Sequence, residues 1–249
     1  MMSEILRAEH ITKCYDGEPV VQDVSLTLGH DELVCLLGIS GSGKTTLFHV
    51  LSGLSAPEAG KVYLRGEDIT ASPGRISYML QKDLLLPHKR IVDNVALPLV
   101  IRGMPKKKAR EKASAFFEQF GLDGTERKYP AQLSGGMRQR AALLRTYLGS
   151  QGVALLDEPF SALDALTKRD IHAWYLHVME EIELATLFIT HDIDEAVRLS
   201  DRIYILGDKP GRILAEMRIA PKRPRSTDFA LSPEFSGYKR EILGYLNKQ

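Results

Sequence analysis

Apolar residues follow two different spacings along this 249-residue chain. In its first third, short apolar runs between Gly, Pro and Asp turns predict strands at 5–15, 20–28, 33–37, 61–64 and 76–80. From about 92 to 148, apolar residues recur every three or four positions, which predicts helices. Farther on, the two spacings alternate and predict strands at 153–156, 186–190 and 202–206, and helices at 165–183, 193–199 and 233–246.

The alternation of strands and helices beyond residue 150 indicates an α/β sheet with right-handed crossovers. The unbroken apolar run at 153–156 favours a parallel strand that is covered on both faces. The helical block between the two groups of strands is then expected to be a lobe inserted into the α/β unit.

One helix of that lobe is predicted over 106–120, with Pro105 at its start and Gly121 at its end. Its buried stripe is expected to consist of Ala109, Ala113, Phe116, Phe117 and Phe120. Its basic residues are expected to face solvent, with contact to acidic lipid as the alternative; they are Lys106, Lys107, Lys108 and Arg110.

Composition and charge exclude several classes of protein. The 44% hydrophobic content is typical of a globular protein, and no apolar run approaches the ~18 residues of a membrane span. The 33 Lys and Arg residues nearly balance 32 Asp and Glu residues, which argues against a protein that wraps nucleic acid. The first residues lack the apolar core of a secretion signal. Cys14 and Cys35 imply no disulfide framework and fit a reducing cytosol.

Residues 38–46, Gly-Ile-Ser-Gly-Ser-Gly-Lys-Thr-Thr, form the most specific motif, which we call the phosphate loop. The motif fits Gly, four residues, Gly-Lys-Ser/Thr and lies between a predicted strand and a predicted helix. Backbone N–H groups of such a loop surround phosphate oxygens at the positive end of the helix. Lys44 is expected to contact the β- and γ-phosphates, and the Thr45 hydroxyl to bind Mg²⁺. The alternative is an ordinary glycine-rich turn.

Two adjacent carboxylates, Asp157 and Glu158, follow the predicted strand at 153–156. Ligands of α/β sheets gather at the carboxyl ends of strands. We expect Asp157 to hold Mg²⁺ through its water shell and Glu158 to accept a proton from an attacking water. The alternative is a helix cap and turn, which Pro159 favours.

Residues 133–137, Leu-Ser-Gly-Gly-Met, are here called the signature segment. Ser134 is expected to cap a helix whose first N–H groups, next to Gly135 and Gly136, remain open to a phosphate. An ordinary serine-capped helix is the alternative.

Taken together, and in the order in which the chain carries them, these segments resemble the ATP-binding subunits of ABC transporters over nearly the whole sequence. The phosphate loop resembles their Walker A motif, residues 155–158 their Walker B motif, and the signature segment their signature motif, with Met137 where Gln is commonest. Residues 161–164, Ser-Ala-Leu-Asp, resemble their D-loop. Gln81 resembles the Q-loop glutamine, His191 the switch histidine, and Tyr15 the aromatic residue that stacks on adenine.

The resemblance implies a role for each of these residues. Gln81 is expected to contact the Mg²⁺ and water shell, and His191 to hydrogen-bond the γ-phosphate. Asp164 is expected at a subunit interface, although N-capping of the next helix explains it nearly as well. The expected nucleotide contacts are Tyr15, Gly38, Ser40, Gly41, Ser42, Gly43, Lys44, Thr45, Thr46, Ser134, Gly135, Gly136 and Asp164. The expected catalytic residues are Lys44, Gln81, Glu158 and His191, and the expected metal ligands are Thr45, Gln81 and Asp157.

The implied fold is α/β: a P-loop NTPase core with a mostly parallel sheet, an N-terminal antiparallel β subdomain and an inserted α-helical subdomain. The expected divisions are 1–82 for the β subdomain and first part of the core and 83–149 for the helical subdomain. Residues 150–206 are expected to complete the core, and 207–249 to add a strand, a loop and a short helix.

The implied function is that of an ATPase that drives import. ATP, with Mg²⁺, closes a head-to-tail homodimer, or a heterodimer with another ATPase subunit, and hydrolysis reopens it. The implied partners are an integral-membrane permease at the cytoplasmic face of the membrane and, indirectly, a substrate-binding protein, with no nucleic acid. Residues 81–87 and 160–167 most resemble the nitrate, sulfonate and taurine group, which includes thiamine-precursor systems.

Two alternatives belong to other functional classes. An ABC-type ATPase that acts on nucleic acid or ribosomes typically carries a coiled-coil insertion or two cassettes, and this sequence has neither a heptad run nor a second cassette. A nucleotide-binding regulator without turnover is expected to lack Glu158 or His191, and both are present.

Overall fold

The strands form two sheets in the computed structural model, which describes residues 4–161, 163–223 and 225–247. Ala162 of the predicted D-loop and Pro224 lie outside the described residues. The strands are β1 (Glu4–Tyr15), β2 (Glu18–Gly29), β3 (Leu33–Gly38), β4 (Ala59–Leu64), β5 (Glu67–Asp68), β6 (Ser77–Met79), β7 (Val153–Asp157), β8 (Ala185–Thr190), β9 (Arg202–Leu206) and β10 (Ile213–Arg218). One sheet has the order β2-β1-β4-β5 and is antiparallel; the other has the order β10-β9-β3-β8-β7-β6.

Helices cover the larger sheet and form the lobe between its strands. They are α1 (Lys44–Leu51), α2 (Ile91–Val95), α3 (Leu97–Ile101), α4 (Lys106–Ser114), α5 (Gly135–Gly149), α6 (Ala165–Glu181), α7 (Ile193–Leu199) and α8 (Pro233–Leu246). None of the helices in the described ranges combines the length and the hydropathy that a membrane span requires.

The larger sheet separates two hydrophobic clusters. Along β3, Leu33, Cys35 and Leu37 pack into the cluster with the helical lobe, whereas Val34 and Leu36 pack into the cluster with α1 and the antiparallel sheet. Side chains of a strand alternate between its two faces, so a strand covered on both faces is apolar at every position. This explains the unbroken apolar runs in the sequence.

Parallel pairing aligns the strand ends that matter for the site. β3 pairs in parallel with β8 and β9, and β7 pairs in parallel with β8 and β6. The carboxyl ends of these five strands therefore lie at one edge of the sheet. Gly38, Asp157 and Thr190 are the last residues of β3, β7 and β8 at that edge.

The predicted helix over 106–120 is wrong in its second half, because α4 ends at Ser114. The chain then tightens into i→i+3 turns, in which the Phe116 and Phe117 N–H groups donate to the Ala113 and Ser114 carbonyls. These turns bring Phe117 and Phe120 into full burial, while Phe116 is half-buried. The buried stripe is therefore formed by a helix followed by turns.

The segment that follows β10 is anchored to α7. The Arg225 guanidinium donates to the carbonyls of Arg198 and Ser200 at 2.9 and 2.8 Å, at the carboxyl end of α7. On α8, Lys239 forms an ion pair with Asp194 in the first turn of α7. Burial lowers the pKa of Arg225 to about 10, so its side chain remains charged at neutral pH.

A buried ion pair joins β9 to the turn before β3. The Arg202 Nη2 and Nε atoms donate to the two Glu32 carboxylate oxygens at 2.8 and 2.9 Å, and both side chains are 7% exposed. Burial alone would lower the pKa of Arg202, but the bonds with Glu32 raise it. Removal of one partner from such a pair leaves an uncompensated buried charge.

We therefore expect Glu32→Gln to lower the free energy of unfolding by about 2–3 kcal/mol. Chemical denaturation with equal m-values for both proteins measures this change. The control is Glu67→Gln, which removes the charge from an exposed carboxylate that pairs with Arg75. Equal unfolding midpoints for the two variants would contradict a structural role for the buried pair.

Candidate functional site

The phosphate loop connects the end of β3 to the start of α1 and requires glycine at two positions. Gly43 has φ +93°, and a Cβ atom there would lie 2.9 Å from the Val20 carbonyl oxygen. A Cβ at Gly38 would lie 2.9 Å from the Leu206 carbonyl oxygen. The loop therefore adopts a turn that other residues cannot follow without displacing neighbouring strands.

Lys44 lies folded against the phosphate loop. Its Nζ donates to the carbonyls of Gly38 and Ile39 at 2.8 and 2.6 Å, and the residue is only 6% exposed. Burial lowers the pKa of Lys44, although the Glu158 and Asp157 charges oppose this effect. A cation held by neutral carbonyls near two carboxylates fits an anionic ligand, which would restore its lost solvation.

Asp157 receives two hydroxyl hydrogen bonds. Its Oδ2 accepts from the Thr45 hydroxyl at 3.0 Å and from the Tyr78 hydroxyl at 3.1 Å. Burial raises the pKa of Asp157, and these two bonds partly reverse the effect. The contact with Thr45 brings together a hydroxyl and a carboxylate, which are oxygen donors of the kind that Mg²⁺ prefers. Mg²⁺ keeps several waters, so this small donor set fits the ion.

Tyr78 is a residue that the sequence analysis missed. Burial and the Asp157 charge raise the pKa of its hydroxyl, which therefore stays protonated and can donate to Asp157. Its ring contacts Phe48 and His49 of α1 edge-to-face, with centroids 5.9 Å apart in each case. Its position three residues before Gln81, on a strand that pairs with β7, was the available signal.

Glu158 links two other predicted residues. Its Oε1 lies 2.9 Å from His191 Nδ1, and its Oε2 accepts from Gln81 Nε2 at 3.0 Å. Glu158 has φ +45°, in the left-handed region that is uncommon for residues other than Gly. Its N–H donates to the Ile189 carbonyl of β8, which helps to hold this backbone conformation. Strained backbone of this kind clusters at functional sites.

These side chains surround a cavity of about 630 Å³, which we call the nucleotide cavity. Eleven predicted site residues line it: Tyr15, Ser40, Gly41, Gly43, Lys44, Thr45, Thr46, Gln81, Asp157, Glu158 and His191. Val20 and Lys209 also line it and were not predicted. Lys209 follows β9, a neighbour of β3, and this position at the carboxyl edge of the sheet was the signal that could have identified it.

The remaining predicted residues do not line this cavity. Gly38 and Ser42 belong to the phosphate loop, and the buried Ser42 hydroxyl has no hydrogen-bond partner among the described residues. Ser134 caps α5 by accepting from the Met137 N–H at 3.3 Å, with Gly135 and Gly136 in the first turn.

Asp164 stands before α6, where its carboxylate accepts from the Thr167 N–H at 3.1 Å and from the Thr167 hydroxyl at 2.6 Å. One chain therefore does not bring the signature segment or Asp164 to its own nucleotide cavity.

Comparisons with known proteins agree with this geometry. A model of the ABC transporter family matches residues 21–161. The formylaminopyrimidine import ATP-binding protein of Halalkalibacterium halodurans is 42% identical, with 99% of this chain and 98% of that protein covered. The taurine import ATP-binding protein of Escherichia coli is 34% identical, with 98% of each chain covered.

Solved structures support the fold. A dimeric ATP-binding cassette in a post-hydrolysis state, bound to ADP and Pi, matches with a TM-score of 0.74 and 27% identity over 87% of this chain and 100% of that chain. A nucleotide-free ATP-binding cassette from an ABC transporter matches with a TM-score of 0.77 and 21% identity over 95% of this chain and 99% of that chain. The predicted fold class and the predicted resemblance are confirmed.

The glycine requirement of the phosphate loop is testable with a matched pair of variants. Gly43→Ala adds a methyl group 2.9 Å from a backbone oxygen and should both destabilise the protein and abolish nucleotide binding. The control Gly74→Ala shares a positive φ of +83° but meets nothing within 4 Å and does not line the nucleotide cavity. It should lose only about 1–2 kcal/mol from backbone strain. Thermal unfolding and nucleotide titration measure both effects; similar results for the two variants would contradict the steric argument.

Proposed function

This chain belongs to the ABC transporter family, and we propose that it is the subunit whose ATP hydrolysis drives uptake of a small solute through a permease. The observation that carries this proposal is the nucleotide cavity, where a glycine loop, a buried lysine and two carboxylates meet at one edge of the sheet. The alternative functions, on nucleic acid or as a regulator without turnover, are not favoured by the relatives.

In the proposed complex, ATP enters the nucleotide cavity with its phosphates against the phosphate loop. The N–H groups at the start of α1 and the Lys44 ammonium contact the phosphates, and the Tyr15 ring, which is 47% exposed, stacks on the base. Lys44 exchanges its two carbonyl partners for phosphate oxygens, which are better partners because they are charged.

Thr45 and Asp157 would hold Mg²⁺, with Gln81 at its water shell. The ion would neutralise phosphate charge as it develops during transfer. The Tyr78 hydroxyl keeps Asp157 oriented toward Thr45, because both hydroxyls donate to the same carboxylate oxygen.

Glu158 is proposed to accept a proton from the attacking water. Its two oxygens contact His191 and Gln81, and because a carboxylate has about four acceptor sites, each oxygen can still accept from a water. His191 is proposed to contact the γ-phosphate through Nε2, because only its Nδ1 atom contacts Glu158. One histidine then contacts both the proposed base and the γ-phosphate.

A second ATPase subunit is proposed to complete the site. Ser134 caps α5 and the two glycines lie in its first turn, and none of the three lines the nucleotide cavity of its own chain. A helix N-terminus with open N–H groups therefore remains for the nucleotide of a partner. A head-to-tail pair places each signature segment on the partner's ATP. A shift of such a pair from ~1:99 to ~99:1 closed needs about 5.5 kcal/mol of differential binding, which two nucleotides share.

The permease is proposed to dock beside the nucleotide cavity, between Gln81 and the helical lobe. A second cavity of about 740 Å³ lies there, and its lining includes Gln81, Glu158 and His191 together with the apolar Leu84 and Leu85. Leu84 is 52% exposed and gives this cavity an apolar side chain that a docked protein would cover. This docking places the subunit at the cytoplasmic face of the membrane.

The proposed cargo is a small polar nutrient of the type handled by the taurine and thiamine-precursor systems. The relatives named for formylaminopyrimidine and taurine import support this class. The cargo crosses through the permease and does not contact this chain. Co-purification of the permease and its binding protein, followed by ligand identification, tests the class directly.

The role of Glu158 predicts a separation of binding from hydrolysis. Glu158→Gln should retain ATP binding and lower kcat by ~10²–10⁴, the range for a positioned base. The ATP-bound variant should then accumulate as a closed dimer in analytical ultracentrifugation. The control Glu67→Gln alters an exposed carboxylate on β5 and should leave kcat unchanged. Near-normal turnover by Glu158→Gln would remove this residue from the proposed role.

The role of Lys44 predicts a loss of ligand-dependent stability. At 100 times the Kd, Mg·ATP should add about 2.7 kcal/mol to the stability of the unaltered protein, by mass action. Lys44→Ala should lose most of this gain in thermal-shift titrations, whereas Lys107→Ala on the exposed surface of α4 should retain it. An unchanged titration for Lys44→Ala would contradict the assignment of the cavity.

A further inference from the structure

A buried pair of side chains joins α6 to α7 behind the nucleotide cavity. His172 Nε2 lies 2.9 Å from Glu195 Oε1, and the two residues are 7% and 4% exposed. Neither residue lines the nucleotide cavity, and neither belongs to a motif identified in the sequence. Two ionisable side chains in the interior need a structural or functional reason, because their burial is costly.

The Glu195 carboxylate connects this pair to the residues on both sides of His191. Its Oε2 accepts from the Thr190 hydroxyl, and the Thr190 oxygen in turn accepts from the Asp192 N–H at 3.1 Å. Asp192 caps α7 by accepting from the Asp194 and Glu195 N–H groups. The hydrogen bonds of Glu195 therefore hold the backbone that carries His191.

The same histidine contacts the segment that carries Glu158. The His172 ring packs edge-to-face on Phe160, with centroids 4.7 Å apart, and Phe160 is 2% exposed. Phe160 lies two residues after Glu158. His172 thus contacts Glu195, which bonds to the segment that carries His191, and Phe160, which lies two residues after Glu158.

The helix that carries His172 begins beside Asp164. His172 lies two turns from the start of α6, and Asp164 accepts from the Thr167 N–H in its first turn. A helix is stiff over this length, so a displacement of its first turn reaches His172. Lys168 of α6 adds a longer ion pair to Asp192, at 3.6 Å, between the same two helices.

The hydrogen bond of this pair joins a ring nitrogen to an acidic side chain. An ionised Glu195 has only acceptors, so His172 Nε2 is the donor in that state. Loss of His172 leaves the buried Glu195 carboxylate with the Thr190 hydroxyl as its one hydrogen-bond partner among the described residues, which is a costly arrangement. Removal of His172 therefore favours a rearrangement of residues 190–195, and this segment includes His191.

We propose that His172 is a positioning residue that holds His191 ready for the γ-phosphate and makes this readiness depend on α6. The inference rests on the proposed function, in which His191 contacts the γ-phosphate and Asp164 lies at the subunit interface. A displacement of Asp164 at that interface moves α6. Because His172 on α6 is bonded to Glu195, the backbone around His191 then moves as well.

The test compares the affinities of variants for ADP and for a non-hydrolysable ATP analogue, both with Mg²⁺. His172→Leu should keep its ADP affinity within about twofold and lose about 10-fold in affinity for the analogue, the value of a hydrogen bond to a charged group. Steady-state kcat should fall by a similar factor. His172→Gln retains an N–H donor and should restore much of both.

Two further variants set the limits of the measurement. His177→Leu changes an exposed histidine of the same helix, which pairs with Glu181, and should bind both nucleotides like the unaltered protein. His191→Ala removes the proposed γ-phosphate contact itself and should show the full selective loss for the analogue.

Each outcome decides one claim. Equal losses for ADP and the analogue in His172→Leu, or no loss, would overturn the positioning role while His191→Ala still supports the proposed function. An unaltered analogue affinity in His191→Ala would instead overturn the γ-phosphate role of His191. If His172→Leu does not fold, Glu195→Gln provides the same test, because an amide offers only one acceptor oxygen; a normal ratio of affinities there overturns the inference.

Discussion

The register of five parallel strands is the constraint on which the site depends. Leu37 pairs with Thr190, Asp157 with Ile189 and Met79 with Leu156, so the phosphate loop, both carboxylates and His191 leave the sheet within a few residues of one another. A slip of one residue in any pair would turn buried side chains to the opposite face. The apolar cores on the two faces of the sheet therefore fix the relative positions of the site residues as well as the fold.

Burial at this edge of the sheet gives the site its charge balance. Lys44 and Asp157 both lose solvation. Burial lowers the pKa of Lys44 and raises that of Asp157, and each shift favours the neutral form. In the proposed complex, a magnesium nucleotide would supply negative phosphate charge to the lysine and positive metal charge to the carboxylate. The same ligand would then relieve both penalties, which would link nucleotide binding to the stability of the site.

The sequence predicted the parts of this protein that local chemistry determines. The bounds of α7 and α8 agree with the prediction, and N-caps at Asp192 and Ser232 fix where the two helices begin. The phosphate loop was recognisable from its glycines and Lys44. The helix predicted over 106–120 was too long, because burial of Phe117 and Phe120 favoured turns over continued helix. The sequence did not predict the roles of Tyr78, Lys209 and His172, because their contacts are with residues far away in the sequence. The roles of the individual site residues remain predictions.

Arg225 ties the segment after β10 to the helix that follows the candidate site. Its guanidinium donates to carbonyls at the end of α7, the helix that begins two residues after His191. A module fused beyond this segment in a larger assembly would be connected to His191 through one side chain and one helix. A regulatory domain added after α8 could then influence His191 through the existing contact between Arg225 and α7.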